Sequence, residues 1–368
     1  MALGSALKAF MMAAATAVAI VSAMPSASAA PVYPDDYKTL VEQSKSESGV
    51  LVYSVIAASN WSHTLAGFRK KYPWIKVETL DLSNEIWDRY YTERATNART
   101  TDLIVAFGVD RWLQFLDKGE AVDYKSPEAA GLADWVNPKP GLFSLSVDPV
   151  LIIWNKALAG GKTFDSMTGL ADAAKENAGK WTGRLGTYDA GAGSLTATFL
   201  AGWAQMQGEK AWPILDQLGP LSKVERSGGT MTEKTLNGEY VASYMVGAAG
   251  FYPRLRDDAI RAAMGWSFMK DGQVAFPRGI AITKGARSPA SAKLLLDYSL
   301  SREGQVGFGQ GGLTPIRDDI TKDEIPIAPL SEIKAIVGET NFHVLGYDQE
   351  FVAAMEPFVA RWRKAFKR

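Results

Sequence analysis

The residues best suited to holding a small molecule sit in loops rich in small and hydroxylic side chains. Asp189-Ala190-Gly191-Ala192-Gly193-Ser194 joins an apolar run to a helical one. Its small residues let the backbone approach a ligand, and the free amides at the start of the next helix favour an anionic oxygen. Ser194 or Thr196 adds a hydroxyl donor, or Ser194 simply caps the helix. Asp189 opposes an anion directly beside it and suits a ligand amine instead. A second loop, Ala57-Ala58-Ser59-Asn60-Trp61, follows the strand that ends near Ser54, at the carboxyl edge where open parallel sheets place their ligands. Ser59 and Asn60 can hydrogen-bond there, while Trp61 either stacks on the ligand as a lid or covers the protein surface. Gly108, in the turn Phe107-Gly108-Val109, is similarly placed.

Other chemistries find less support. The chain has no cysteine, which excludes disulfides, thiolate metal sites and cysteine nucleophiles. His63 and His343 are the only histidines and come from distant segments. Gly307 to Gly312 matches GxGxxG, but it follows a helix and runs into Leu313-Thr314-Pro315. A dinucleotide fingerprint follows a strand and opens a helix, so this run reads as a helix exit and loop. No GxSxG elbow or GxxxxGK[ST] loop is present. Carboxylates are plentiful, yet nothing marks a pair of them for glycoside hydrolysis.

The elements that must position these loops alternate in type. Gly49 to Val55 reads as a buried strand, followed by a helix from Ser62 to Lys71 that Pro73 ends. Ile75 to Leu80 is a second strand, Asn84 to Asn97 a helix and Asp102 to Phe107 a third strand. The same grammar recurs with strands at Val150–Asn155, Arg184–Tyr188 and Tyr240–Val246, and helices at Ser194–Met206 and near Glu209–Gly219. A late strand, Gly279–Thr283, precedes a helix from Pro289 to Ser301. Alternation of this kind specifies parallel α/β sheets, and a chain of this length is expected to form two of them.

Lys8, the apolar run Ala9 to Val21, Pro25 and the small residues Ser26 to Ala30 form a signal peptide, with cleavage expected after Ala29 or, second, Ala30. The apolar run is too short for a membrane span. With no cysteine to carry a lipid, the mature chain is expected in the periplasm of a two-membrane bacterium. Removal of residues 1–29 takes one lysine and leaves 39 basic against 40 acidic side chains. Nothing in that balance draws the chain to nucleic acid or anionic lipid, and a monomer is expected. The terminal cluster Arg361, Arg363, Lys364, Lys367 and Arg368, with Trp362 and Phe366, reads as the solvated face of a helix docked by its aromatics.

Several stretches in order resemble the extracellular (periplasmic) solute-binding proteins of ABC transporters, of the ferric-iron and organic-anion type. They are Gly49-Val50-Leu51-Val52-Tyr53-Ser54, Thr101-Asp102-Leu103-Ile104, Trp181-Thr182-Gly183-Arg184-Leu185-Gly186, Gly238-Glu239-Tyr240-Val241-Ala242, Gly279-Ile280-Ala281-Ile282, and Glu303-Gly304-Gln305 leading to Gly312-Leu313-Thr314-Pro315-Ile316-Arg317. The resemblance implies a type II periplasmic binding protein: two α/β lobes joined by a hinge, with the ligand in the cleft between them. Residues 30–147 plus 270–318 would form the first lobe, and 148–269 plus 319–368 the second.

By family position the Asp189 turn would hold an anion and face the Ser54–Trp61 loop. Ser227, Gly228 and Thr230, in Arg226-Ser227-Gly228-Gly229-Thr230, would add donors at another helix start. Arg278 would clamp a carboxylate or phosphate, or else form a salt bridge. Tyr252 would either line the cleft or pack in the core. Iron-binding members carry a Tyr-Tyr pair where this chain has Gly247-Ala248-Ala249-Gly250-Phe251, which leaves Ala249 facing the ligand. Their first-loop histidine is replaced by Val55-Ile56-Ala57-Ala58, and a carboxylate after the third strand by Gly108. Ferric iron needs hard oxygen or imidazole ligands, so its chemical basis is missing here. The expectation is a binding protein, not an enzyme, with no cofactor and no metal. It would close on a small organic anion and deliver it to a membrane permease; a ferric-iron binder, a secreted hydrolase and a receptor-linked ligand sensor are the rivals.

Overall fold

The computed structural model describes residues 31–82 and 85–368. The expected signal peptide therefore lies outside the described residues. The strands are β1 (Val50–Ser54), β2 (Val77–Asp81), β3 (Leu103–Ala106), β4 (Phe143–Asn155), β5 (Leu185–Tyr188), β6 (Ser222–Glu225), β7 (Ala242–Gly247), β8 (Met264–Ser267), β9 (Gln273–Ile282) and β10 (Phe342–Val344). They join in the order β2-β1-β3-β9-β4-β7-β5-β6, with β10 added to β9 and β8 to β4. β1 is parallel to β2 and β3, and β5 is parallel to β6 and β7. These two parallel sets, flanked by helices, are the sheets of two α/β lobes.

Local pattern explains each lobe. All five residues of β1 are buried, as a strand covered on both faces requires. The helix Ala58–Lys71 buries Trp61, Thr64, Leu65 and Phe68, a stripe at helical spacing, and Phe68 meets Tyr298 edge-on with ring centres 5.6 Å apart. The glycine-rich run is not only a helix exit. Gly307 and Gly309 lie inside the helix Arg302–Gln310, where a Cβ on Gly307 would come 2.8 Å from the Thr64 backbone. Those glycines let two helices touch closely. The terminal helix Gln349–Ala365 docks on the second lobe through Trp362, which is buried and stacks on Phe366 at 4.7 Å. Arg361 stays on the outer face in a two-pronged pair with Glu209 at 2.8 and 3.0 Å.

β4 and β9 join the lobes. From Phe143 to Pro149, β4 pairs antiparallel with β9, in register Phe143↔Ile280 to Pro149↔Ala275. From Val150 onward the same strand pairs with β7, beginning at Val150↔Gly247, and with β8. One continuous strand thus belongs to the first sheet before Pro149 and to the second after it. β9 lies beside it and continues to β3 through Gly279–Ile282. Both strands are longer than their apolar runs predict: β4 begins at Phe143, not Val150, and β9 at Gln273, not Gly279.

Candidate functional site

A cavity of about 350 Å³ opens between the lobes above this pair of strands. Its floor is made by Asp148 of β4 and Arg278 of β9. The first lobe contributes Val55, Ile56, Ala57, Asn60, Phe107 and Leu313; the second contributes Tyr188, Thr196, Phe199, Arg226, Ser227, Gly228, Gly229, Gly247, Ala249 and Gly250. The size suits a small organic ligand.

Arg278 is only 3% exposed. Its Nη1 donates to Ser146 Oγ at 2.6 Å, and its guanidinium carbon lies 4.2 Å from the centre of the Phe107 ring. Its Nε is buried without a partner, and its Nη2 stands 3.9 Å from Asp148 Oδ2, beyond hydrogen-bond range. Burial lowers its pKa, and the Asp148 carboxylate opposes that shift. Asp148, 6% exposed, accepts the Ala249 amide on Oδ1 at 2.9 Å. Burial holds its pKa above the usual range, against the pull of Arg278 and of that amide.

Two helices begin at the cleft, one from each lobe. Ala58–Lys71 starts after Ala57, which offers no side-chain cap. Gly228–Leu236 starts after Ser227, whose Oγ accepts the Thr230 amide at 3.1 Å and meets Thr230 Oγ1 at 2.9 Å. Their amide ends favour negative charge in the space between them. Arg226 is exposed at the rim and has no ion-pair partner among the described residues. The lining therefore carries two guanidinium groups against one carboxylate. One wall is aromatic: Tyr188 stacks on Phe199 with centres 4.5 Å apart. The Tyr188 phenol is held neutral, its pKa raised by burial and then by Asp148, while the Gly247 and Gly228 amides pull it down.

Of the candidates from sequence, Asn60, Ser227, Gly228, Ala249 and Arg278 meet at this cavity. The rest are placed elsewhere. Trp61 is fully buried under the first lobe, its Nε1 donating to Ser54 Oγ at 3.0 Å. Neither Trp61 nor Ser54 reaches the cleft, because each satisfies the other in the core. Ala58 and Ser59 are exposed on the first turn of their helix, outside the lining. Asn60 spends its amide on the Gly311 carbonyl at 2.7 Å. Gly108 begins the helix Val109–Asp117 and borders a small neighbouring void with Phe199 and Tyr347.

The Asp189–Ser194 turn lies outside the lining. Asp189 Oδ1 accepts the Gly191 amide at 3.0 Å, closing the turn on itself, and a Cβ on Gly191 would touch the Trp362 ring at 3.5 Å. Gly191 faces the terminal helix, Gly191, Ala192 and Gly193 are exposed, and none of Asp189, Ala190, Gly191, Ala192, Gly193 and Ser194 lines the cavity; only their neighbours Tyr188 and Thr196 do. Thr230 serves as the partner of the Ser227 cap. Tyr252 is buried beside Trp266, ring centres 5.7 Å apart, at a larger groove of about 820 Å³ between β8 and residues 322–332. The cations there are engaged: Arg261 with Asp258, Lys322 with Glu332 at 3.0 Å, and Arg256 with the Gln310 carbonyl at 3.0 Å. The interlobe cavity, with its unpartnered guanidinium atoms, is the better ligand site.

Reading the sequence missed Asp148, Tyr188 and Phe199. Asp148 carried a signal: it is the one charge in the otherwise apolar run Val147-Asp148-Pro149-Val150-Leu151-Ile152-Ile153, and a buried lone charge demands a reason. No three His, Asp or Glu side chains converge on a potential metal position among the described residues. Among those residues no helix is long and apolar enough to cross a membrane.

The fold has many solved counterparts. A substrate-binding protein of an ABC transporter from Agrobacterium tumefaciens is 20% identical, with a TM-score of 0.75 over 87% of this chain and 95% of that one. Iron-bound HitA from Pseudomonas aeruginosa is 14% identical, with a TM-score of 0.65 over 86% and 99%. AfuA from Actinobacillus pleuropneumoniae, a periplasmic binding protein with fructose-6-phosphate bound, is 19% identical, with a TM-score of 0.64 over 87% and 98%. These likenesses concern the fold. A Haemophilus influenzae relative described as an uncharacterized protein is 31% identical over 134 residues, so the match spans 36% of this chain and 38% of that one. The family of bacterial extracellular solute-binding proteins matches residues 64–330, most of the chain and both hinge strands. Two α/β lobes, a cleft at their hinge and that match together make this chain a member of the bacterial extracellular solute-binding proteins.

Proposed function

We propose that the chain is the periplasmic capture component of an ABC importer, which closes its lobes on a small organic anion and passes it to a membrane permease. The ligand is a carboxylate, phosphonate or sugar phosphate. The lobes are residues 30–147 plus 270–318 and 148–269 plus 319–368, and the mature protein acts as a monomer without cofactor or metal. The observation that carries this reading is the Arg278 guanidinium, buried at the cleft floor with an unpartnered Nε. A buried cation lacking hydrogen bonds is costly, and an incoming anion relieves that cost. Arg226 and the two facing helix starts extend the same preference up the walls. Ligand donors come from both lobes, so binding energy favours the closed arrangement. The importer role is supported by the Agrobacterium and Actinobacillus counterparts, which are transport or periplasmic binding proteins.

The test is a thermal-shift screen of refolded, ligand-stripped protein against carboxylates, phosphonates, sugar phosphates, amines and ferric salts with companion anions. A ligand at a hundred times its dissociation constant adds about 2.7 kcal/mol of stability, read as a raised melting temperature. A selective rise with one organic anion is expected. A response to ferric salt alone would replace this reading with iron capture, and a response to amines alone would overturn the anionic preference.

A further inference from the structure

Asp148 is an odd residue to find beside an anion site. It is buried in the floor, its Oδ2 has no hydrogen bond among the described residues, and the nearest Arg278 nitrogen is 3.9 Å away. A strong pair would close to about 2.8 Å and share two hydrogen bonds. Instead the carboxylate is held back by the Ala249 amide on Oδ1, and the guanidinium by Ser146 on Nη1. Two opposite charges are thus kept apart, each with unmet hydrogen-bonding capacity, on side chains that both line the same cavity. Gly247 keeps Oδ2 approachable, because a Cβ at that position would lie 3.0 Å from it.

A plain oxyanion seated on Arg278 would bring its negative charge toward Oδ2 with nothing between them. In a desolvated site that repulsion is poorly screened. A ligand whose anionic group carries a hydroxyl or ammonium on the adjacent carbon satisfies both: its oxygens accept from the Arg278 guanidinium, and its donor meets Oδ2. Resting on the anion-capture reading above, we infer that Asp148 is a specificity-determining residue that makes the cleft select anions bearing an adjacent hydrogen-bond donor and reject the same anions without it. The carboxylate acts against the wrong ligand as much as it acts for the right one.

Three matched pairs test this with the full mature chain: malate against succinate, lactate against propionate, and hydroxymethylphosphonate against ethylphosphonate, titrated by calorimetry and thermal shift. The donor-bearing member of a pair should bind roughly tenfold tighter or more, since its rival leaves a buried acceptor unmet. Asp148→Asn keeps an oxygen for the Ala249 amide and turns a donor toward the ligand. In that variant the preference should shrink or reverse, with succinate and ethylphosphonate gaining. Equal binding within every pair by the unsubstituted protein overturns the selectivity while leaving anion capture standing, and needs no variant to fold. Failure of all six compounds and of the wider anion screen overturns both. Unchanged discrimination in a folded Asp148→Asn protein would assign the selectivity to another group.

Discussion

Arg278 holds its place through geometry that a lysine could not copy. The planar guanidinium reaches Ser146 and lies over Phe107, its Nε is left without a partner among the described residues, and the side chain still lines the cavity. Arg278→Lys should keep the charge and the fold but weaken binding of the anion selected by thermal screening about tenfold or more, as measured by calorimetry. Asp297 answers to the same physics without a ligand. It is buried and accepts from Tyr37 at 2.9 Å, Tyr124 at 2.7 Å and Ser126 at 2.6 Å, with Glu128 the nearby acid. Burial outweighs those donors and raises its pKa from 3.8 to about 6. Because the folded value is the higher one, its contribution to stability is complete below about pH 4 and is lost as pH rises through about 6. A shift of this size corresponds to about 3 kcal/mol at most. Urea unfolding of Asp297→Asn should show less stability at pH 4 relative to pH 7 than the unsubstituted protein does.

The elements legible in the sequence were those whose apolar pattern runs unbroken. β1, β3 and the helix Ser194–Gln207 lie within a residue or two of where periodicity places them. The two hinge strands were read at half length, and the reason is chemical. Asp148-Pro149 interrupts the apolar run of β4, and Pro277-Arg278 that of β9; a charge and a proline ordinarily mark the end of a strand. Here Pro149 and Pro277 sit within the ladder, opposite Ala275 and Val147, and the Val147 amide bonds to the Thr314 carbonyl at 3.1 Å. The features that hid the strands are the ones that build the cleft floor. The Asp189 turn shows the limit of small residues as a signal: they permit close approach without naming what approaches, and at Gly191 it is the Trp362 ring of the terminal helix. Close approach also governs Gly307. Gly307→Ala pushes a methyl against the Thr64 backbone and should cost about 1–3 kcal/mol, read as a lower urea midpoint with an unchanged slope.

At the scale of the molecule, both strands through which the lobes share a ladder pass under the ligand cavity. A rotation about the Asp148–Val150 segment would move the helix start at Ala57 relative to the one at Ser227. Arg256 also bridges the lobes, reaching from the second lobe to the last carbonyl of the helix Arg302–Gln310. Lobe motion can be read cleanly because the chain has no cysteine of its own. His63→Cys, on the helix Ala58–Lys71, and Asn237→Cys, at the C-terminal cap of the helix Gly228–Leu236, place exposed labelling sites on opposite lobes. Energy transfer between dyes at these positions should rise when the anion selected by thermal screening is added, since closure brings the helices together. The same labels in an Arg278→Lys background should need about tenfold more anion for the same rise. If transfer stays constant while the anion still stabilises the protein, the cleft is preformed, and hinge closure is not what couples capture to delivery.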